Sequence, residues 1–389
     1  VKSITSLNDY FAQLHIEDLN DYGPIAIKNL KENEQKNIVG IYCVFTPTEL
    51  ISAANAIPVS LCSKNGSTIP DAEKYLPRNL CPLIKSSYGY AITDKCPYFH
   101  FSDLIVGEIT CDGKKKMYEY LNELKPVHVM QLPQMNSHEI YFEFWKQEMI
   151  RLKKRLEKEF NVQINNQKLA AEIKLKNSER LVLKELYQLQ KLTPPPLFGS
   201  EVLRLLNLSQ FTFDKQVANN RTRKAIDKIK QLYQNGDKRI SDSAPRILIT
   251  GCPMGNSTEK IVKLVEKNGG VVVCFENCTG IKDKEDLVLE NCDPIEALTQ
   301  KYLNIPCSCM SPNDNRFELL IKIITEYQID GVIDMVLQAC HTYNVETLRM
   351  KEFVNIDKEI PYMSLETDYS SADIEQLKTR ISAFLEMMY

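Results

Sequence analysis

Thiols are the most conspicuous reactive groups in this sequence: there are 12 cysteines, with no C-x-x-C pair among them. Zinc ribbons and thioredoxin-type centres therefore lack their local signature, and any site made from these residues must be gathered by the fold. Their placement is informative. Short apolar runs from Ile38 to Tyr42, Ile57 to Leu61 and Asp103 to Ile109 end at or just before Cys43, Cys62 and Cys111. Arg246 to Thr250, Gly270 to Phe275 and Gly331 to Leu337 lead in the same way to Cys252, Cys278 and Cys340. Such runs predict buried parallel strands. Thiols at their carboxyl ends would face helix N-termini, where the backbone dipole favours an anion such as a thiolate-bound metal cluster.

Iron binds thiolates strongly, and iron-sulfur clusters take cysteines that are distant in sequence. Zinc would be satisfied by four thiols and leave the others unexplained. Cys274, inside an apolar run, and Cys292, in a loop, read as bystanders. A lone buried cysteine is ordinarily a small hydrophobe, so the case for the rest is collective. His341, next to Cys340, is a candidate proton donor to a substrate; Glu108, Lys85, Ser86 and Tyr88 lie beside candidate ligands and are candidates for the pocket wall.

The elements needed to position these groups form an α/β fold of two Rossmann-like parallel-sheet domains facing a shared cleft, with a helical insertion. The expected boundaries are 1–136 for an N-terminal arm and first domain, 137–244 for the helical segment and 245–389 for the second domain. In the first domain Thr46 reads as the N-cap and Pro47 as the first residue of a helix. The helical segment holds long charged stretches such as EFWKQEMIRLKKRLEKEF and no cysteine, and its charge runs read as solvated helix faces. The two halves repeat: Cys43 pairs with Cys252, Cys62 with Cys278, Cys81 with Cys309 and Cys111 with Cys340.

Charge excludes more than it suggests. Lys+Arg 48 against Asp+Glu 51 gives a net charge of -3 and no basic stripe, which argues against a nucleic-acid partner. No apolar run approaches bilayer length, so no membrane partner is expected. The stretch VKSITSLNDYF has no secretory pattern, making the cytoplasm the expected compartment. The turn TGCPMGNSTEK fits neither GxGxxG nor the phosphate-loop pattern, which argues against ATP binding by this chain.

The segments IVGIYCVFTPTELISAANAIPVSLC, LPRNLCPLIKSS, DGVIDMVLQACHTYNVE and LETDYSSADIEQLKTRISAFLE resemble the 2-hydroxyacyl-CoA dehydratase and benzoyl-CoA reductase superfamily over nearly the whole chain. Within it, DKCPYFHFSDLIVGEITCDGKKKMYEY with GCPMG, ENCTG and CSCMSPND is similar to the double-cubane cluster proteins. The resemblance implies a 4Fe-4S cubane held by three cysteines, at the positions of Cys81, Cys111 and Cys340. The double-cubane relatives carry two cubanes joined by a sulfide, an 8Fe-9S cluster that needs six thiolates. The family also takes low-potential electrons from a separate ATP-hydrolysing iron-sulfur activator. For the second cubane the candidates are Cys43, Cys62, Cys96, Cys252, Cys278, Cys307 and Cys309. Sheet-edge position and the repeat favour Cys278 and Cys309, and the dipole of the following helix favours Cys43, with Cys252 the close alternative.

The expected function is an ATP-dependent reductase component, a homodimer, that reduces a small molecule at the double-cubane cluster. A 2-hydroxyacyl-CoA dehydratase subunit with one 4Fe-4S cluster is one alternative; a non-catalytic electron-transfer or iron-sulfur storage protein is another. No CoA-binding surface is legible, so acyl-CoA dehydration is not carried over.

Overall fold

The computed structural model describes residues 21–253 and 255–388. The first 20 residues of the expected N-terminal arm lie outside them; within the described part the arm is a helix, Gly23–Glu32. Among the described residues eight strands form two four-stranded parallel sheets. The first contains β1 (Asn37–Ile41), β2 (Ala56–Ser60), β3 (Leu104–Glu108) and β4 (Val127–Met130) in the order β2-β1-β3-β4. The second contains β5 (Arg246–Gly251), β6 (Val271–Glu276), β7 (Gly331–Leu337) and β8 (Tyr362–Thr367) in the order β6-β5-β7-β8.

The two orders are the same, so the repeat seen in the thiols is a repeat of topology. In each sheet the chain steps to one side of its first strand and then returns to the other, which opens a crevice at the carboxyl ends of β1 and β3, and of β5 and β7. Strands β3, β5, β6 and β7 are buried along their whole length, as their runs of Val, Ile and Leu require, whereas β4 at a sheet edge alternates.

Four helices, Glu139–Phe160, Asn166–Leu189, Gly199–Phe211 and Lys215–Gln234, lie in sequence between the sheets. Asn166–Leu189 packs on Thr48–Ala53 of the first half, and Glu139–Phe160 on Pro294–Leu303 of the second. Their charge is not all solvated, contrary to the reading from sequence. Glu179 and Arg180 are 4% and 2% exposed. Arg180 pairs with buried Glu49 at 2.8 Å, and Tyr302 donates to the same carboxylate at 2.6 Å. One ionic knot thus ties both halves to the helical segment. A charge run viewed alone does not say which of its members have partners elsewhere in the chain.

Thr46 also departs from its expected role. The helix it was to cap is Thr48–Ala53, with Pro47 at the N-cap and no side-chain cap. The Thr46 hydroxyl instead donates to Glu108 Oε1 at 2.5 Å. A buried carboxyl left without a donor costs more than a missing cap on a short helix, and the hydroxyl goes where the larger penalty is.

Candidate functional site

Helix N-termini seat four of the thiols. Cys81, Cys96, Cys111 and Cys340 are the N-caps of Pro82–Ile92, Pro97–Phe101, Asp112–Leu121 and His341–Lys351. In two of these the next residue is proline, whose missing N–H costs nothing at the first helical position. Cys96 Sγ accepts from the Phe99 amide at 3.4 Å and Cys111 Sγ from that of Lys114 at 3.5 Å. Cys81 and Cys340 stand at the same place without a side-chain cap hydrogen bond, with the first amides of their helices nearby. Backbone donors and the helix dipole favour negative charge at each position.

Cys252 is placed differently. Gly251 ends β5 at φ +105°, and a Cβ there would lie 2.1 Å from the Met335 carbonyl oxygen, so glycine alone permits this turn. The turn carries the Cys252 amide onto Met335 O at 2.7 Å and its sulfur under the Leu337 amide at 3.3 Å.

The thiols fall into two groups. Cys340 contacts both Cys81 and Cys252, and Tyr369 lies within electrostatic reach of these three and of Cys62. In the other group Cys307 contacts Cys309, while Cys43 and Cys278 are close enough to feel the same charges. Cys62, whose thiol donates to the Tyr42 carbonyl at 3.1 Å, is within reach of Cys278 as well and so connects the groups. Of the first proposed triad, then, Cys81 and Cys340 are together with Cys252, while Cys111 stands beside Lys114. Of the second, Cys43, Cys278 and Cys309 share one group, and Cys307 joins them. Cys274 is fully buried inside β6 and Cys292 is exposed.

Buried cations flank the thiols. Lys114 donates to Tyr42 O at 2.9 Å. Burial opposes its charge, yet Cys43, Tyr118, Cys62 and Cys111 around it more than offset this and hold its pKa well above the usual lysine value. Lys282, fully buried, pairs with Glu276 at 3.1 Å and donates to the Tyr343 hydroxyl at 3.0 Å, which in turn lies 3.8 Å from Cys307 Sγ. Arg316 donates to Thr250 Oγ1 at 2.8 Å and to Ser308 Oγ at 2.7 Å and pairs with Glu276 and Glu346. It thereby pins the Cys307-Ser308-Cys309 turn.

Burial pushes the thiols of Cys43 and Cys62 up, and that of Cys278 up to about 12. Cys307 is the opposite case: the hydrogen bond from Cys309 holds it down to about 5, with burial opposing and Lys282 assisting, and the same contact pushes Cys309 up. The pair titrates as a unit that carries one thiolate beside Lys282.

This donor set fits an iron-sulfur cluster. Among the described residues no three His, Cys, Asp or Glu side chains close on one point as a single bound ion needs. The thiols instead lie in two sets with buried Lys114 and Lys282 beside them, a donor set that would suit an anionic polynuclear group bound at several irons.

Glu108 is fully buried at the end of β3, with Oε2 lacking any partner. Burial raises its pKa to about 7, against the pull of Thr46 and Lys114. Because the folded-state value lies above the ordinary 4.5, ionisation of Glu108 erodes stability as pH rises between the two. Glu108→Gln is therefore expected to be more stable than the parent above pH 7, with the gap closing toward pH 4.5, in urea unfolding measured across that range. An anionic cluster nearby would act in the same direction. An equal gap at every pH would show that Glu108 does not titrate there.

His341 is exposed at the start of its helix. Tyr343, two residues on, is the group that turns toward the thiols. Lys85 is held by Glu73 at 2.8 Å and Arg78 O at 2.7 Å, and Tyr88 packs between Tyr75 and Tyr120, so both serve the local packing. Sequence reasoning missed Lys114, Lys282, Arg316 and Tyr343. Lys114, Tyr343 and Lys282 had a local signal, three or four residues past the strand-end cysteines Cys111, Cys340 and Cys278; Arg316 has none.

Fold and site together define a cysteine-rich, two-sheet α/β protein whose thiols converge on a crevice, the arrangement of a dehydratase or reductase component. The chain belongs to the family described as 2-hydroxyglutaryl-CoA dehydratase, D-component, whose profile matches residues 43–388. YjiM of Escherichia coli (strain K12), which bears the name of a dehydratase subunit, is 50% identical over 385 residues, 99% of each chain. The (R)-phenyllactyl-CoA dehydratase beta subunit of Clostridium sporogenes is 24% identical over 93% of this chain and 94% of its own. A benzoyl-CoA reductase subunit of Thauera aromatica is 18% identical over 93% of each. The chain is thus an enzyme component of this superfamily. Among the described residues no helix is long and apolar enough to cross a membrane.

Proposed function

We propose that this chain is a reductase component that reduces a small molecule at an iron-sulfur cluster, an 8Fe-9S double cubane, with electrons from a separate ATP-hydrolysing iron-sulfur activator. The observation that carries the reading is the number of gathered thiols. Cys81, Cys252 and Cys340 on one side and Cys43, Cys278, Cys307 and Cys309 on the other exceed what a single cubane takes. The cluster, when bound, supplies low-potential electrons. The protein's residues hold and surround it: the thiols ligate, Lys114 and Lys282 offset its negative charge, and Arg316 fixes the turn that carries two of the ligands. Glu108 holds a proton at Oε2 next to this crevice, and His341, exposed at the start of its helix, is the candidate donor to a substrate. The cytoplasm and a homodimeric assembly complete the reading.

The relatives named as dehydratase subunits favour a second reading, a 2-hydroxyacyl-CoA dehydratase subunit with one 4Fe-4S cluster. Iron and sulfide per chain, measured on anaerobically purified protein, separate the two: eight irons support the double cubane and four support the single cubane. The isolated chain is expected to hydrolyse no ATP, and turnover is expected only with the activator present. Sustained ATP hydrolysis by the chain alone would refute the division of labour between the two proteins.

A further inference from the structure

We propose that Tyr343 is a positioning residue for the cluster: its hydroxyl, held by Lys282, donates to the Cys307 thiolate and raises the reduction potential of the metal group that Cys307 ligates. This deepens the proposed function by naming a control on its electron transfer, and it rests on that reading.

The geometry leaves the hydroxyl proton one place to go. Tyr343 is buried in the first turn of His341–Lys351, the helix that Cys340 begins. Among the described residues its hydroxyl has two polar neighbours, Lys282 Nζ at 3.0 Å and Cys307 Sγ at 3.8 Å. An ammonium group donates and cannot accept, so toward Lys282 the phenol oxygen is the acceptor and its own proton points elsewhere. A metal-bound thiolate carries no proton. The one proton available between Tyr343 and Cys307 is therefore the tyrosine's.

The surroundings strengthen this donor and fix it. Lys282 Nζ and the Arg316 guanidinium each lie 5.3 Å from the centre of the Tyr343 ring, and both cations are buried. Positive charge at a ring and at its oxygen, in a site of low dielectric, makes the hydroxyl a better donor. Glu276 anchors the two cations at 3.1 and 3.3 Å and so keeps the tyrosine between them. Tyr118 is the contrast: it too is buried near the thiols, but its hydroxyl donates to a backbone carbonyl, that of Glu108, at 3.3 Å. A hydrogen bond to a ligating sulfur favours the more negative, reduced state of an iron-sulfur group over the oxidised one, which raises its potential.

The test is a redox titration of the anaerobically purified protein followed by electron paramagnetic resonance, with iron and sulfide counted on the same samples. Tyr343→Phe keeps the ring between its two cations. It is expected to hold the parent's metal content and to make reduction about tenfold less favourable, a fall of about 59 mV for a one-electron couple. In heavy water, electron-nuclear double resonance of the reduced parent is expected to show an exchangeable deuteron coupled to the metal group that is missing from Tyr343→Phe. Tyr118→Phe is expected to change neither the potential nor that signal. An unchanged potential or an unchanged deuteron signal in metal-replete Tyr343→Phe overturns the role of the tyrosine and leaves the cluster standing. An equal fall in both variants does the same, and loss of metal from Tyr343→Phe alone would make the tyrosine a structural support instead. A parent protein without iron overturns the cluster reading and this inference with it.

Discussion

Cys278→Ala, purified without oxygen, will retain about half of the parent's iron and sulfide, because one of the two proposed cubanes would lose a thiolate it needs. Cys43→Ala and Cys309→Ala will behave alike, since both share the crevice with Cys278 and the Lys282-facing thiols. Cys340→Ala will lose iron and activity together: its sulfur contacts Cys81 and Cys252 and is the hub of the other group. The controls are Cys274→Ala and Cys292→Ala, which will keep their full metal content. Cys274 is enclosed in β6, so its loss costs about 1 kcal/mol of packing without touching the crevice. Full iron in the Cys278, Cys43 or Cys309 variants, or depleted iron in the two controls, would overturn the assignment.

Arg316→Met will be the most destabilising single change considered, by about 3–5 kcal/mol, because it removes the buried cation that Glu276 and Glu346 share. Glu276 would keep Lys282 and Glu346 its hydrogen bonds from Ser308 and Asn313, but Glu346 would be left with no cation and Ser308 and Thr250 without the guanidinium donor. Ser308 lies between Cys307 and Cys309, so metal content will fall with stability even where the variant stays folded. Arg349→Met is the comparison: its ion pair with Asp314 spans 3.8 Å and is 60% exposed on the arginine side, and such a pair is worth about 1 kcal/mol at most. Urea unfolding of both variants measures the contrast. A loss below about 1 kcal/mol for Arg316→Met would mean that the buried network is not a structural tie.

Much of the fold was legible because buried parallel strands leave a strong local trace. The Val- and Ile-rich runs ending at Cys43, Cys62, Cys278 and Cys340 correspond to strands, with ends displaced by a residue or two. The last strand, Tyr362–Thr367, leaves a weaker trace because β8 is only half buried. The pairing of the halves was also readable, since the order of thiols along the chain follows the order of strands, and the two sheets repeat that order. Thr46 was misread because its competing partner, Glu108, is 62 residues away. The charged helices were misread for the same reason: Arg180 finds Glu49 and Tyr302, which no helical window contains.

What the sequence by itself determined is therefore the local part: strands from apolar runs and a supply of thiols at one edge of each sheet. Those features depend on contacts within a few residues, and the chain carries them wherever it goes. Which thiols meet was decided only by the tertiary structure. Cys252 reaches Cys340 through a turn that Gly251 permits, and Cys43 and Cys278 come within electrostatic reach of Cys307 from opposite halves of the chain. The charge that suits the crevice to an anion was likewise invisible in a chain of net charge -3, because Lys114, Lys282 and Arg316 become neighbours only after the sheets and helices have packed. Electrostatic energy inside a protein depends on distance and burial, and neither is a property of the order of residues.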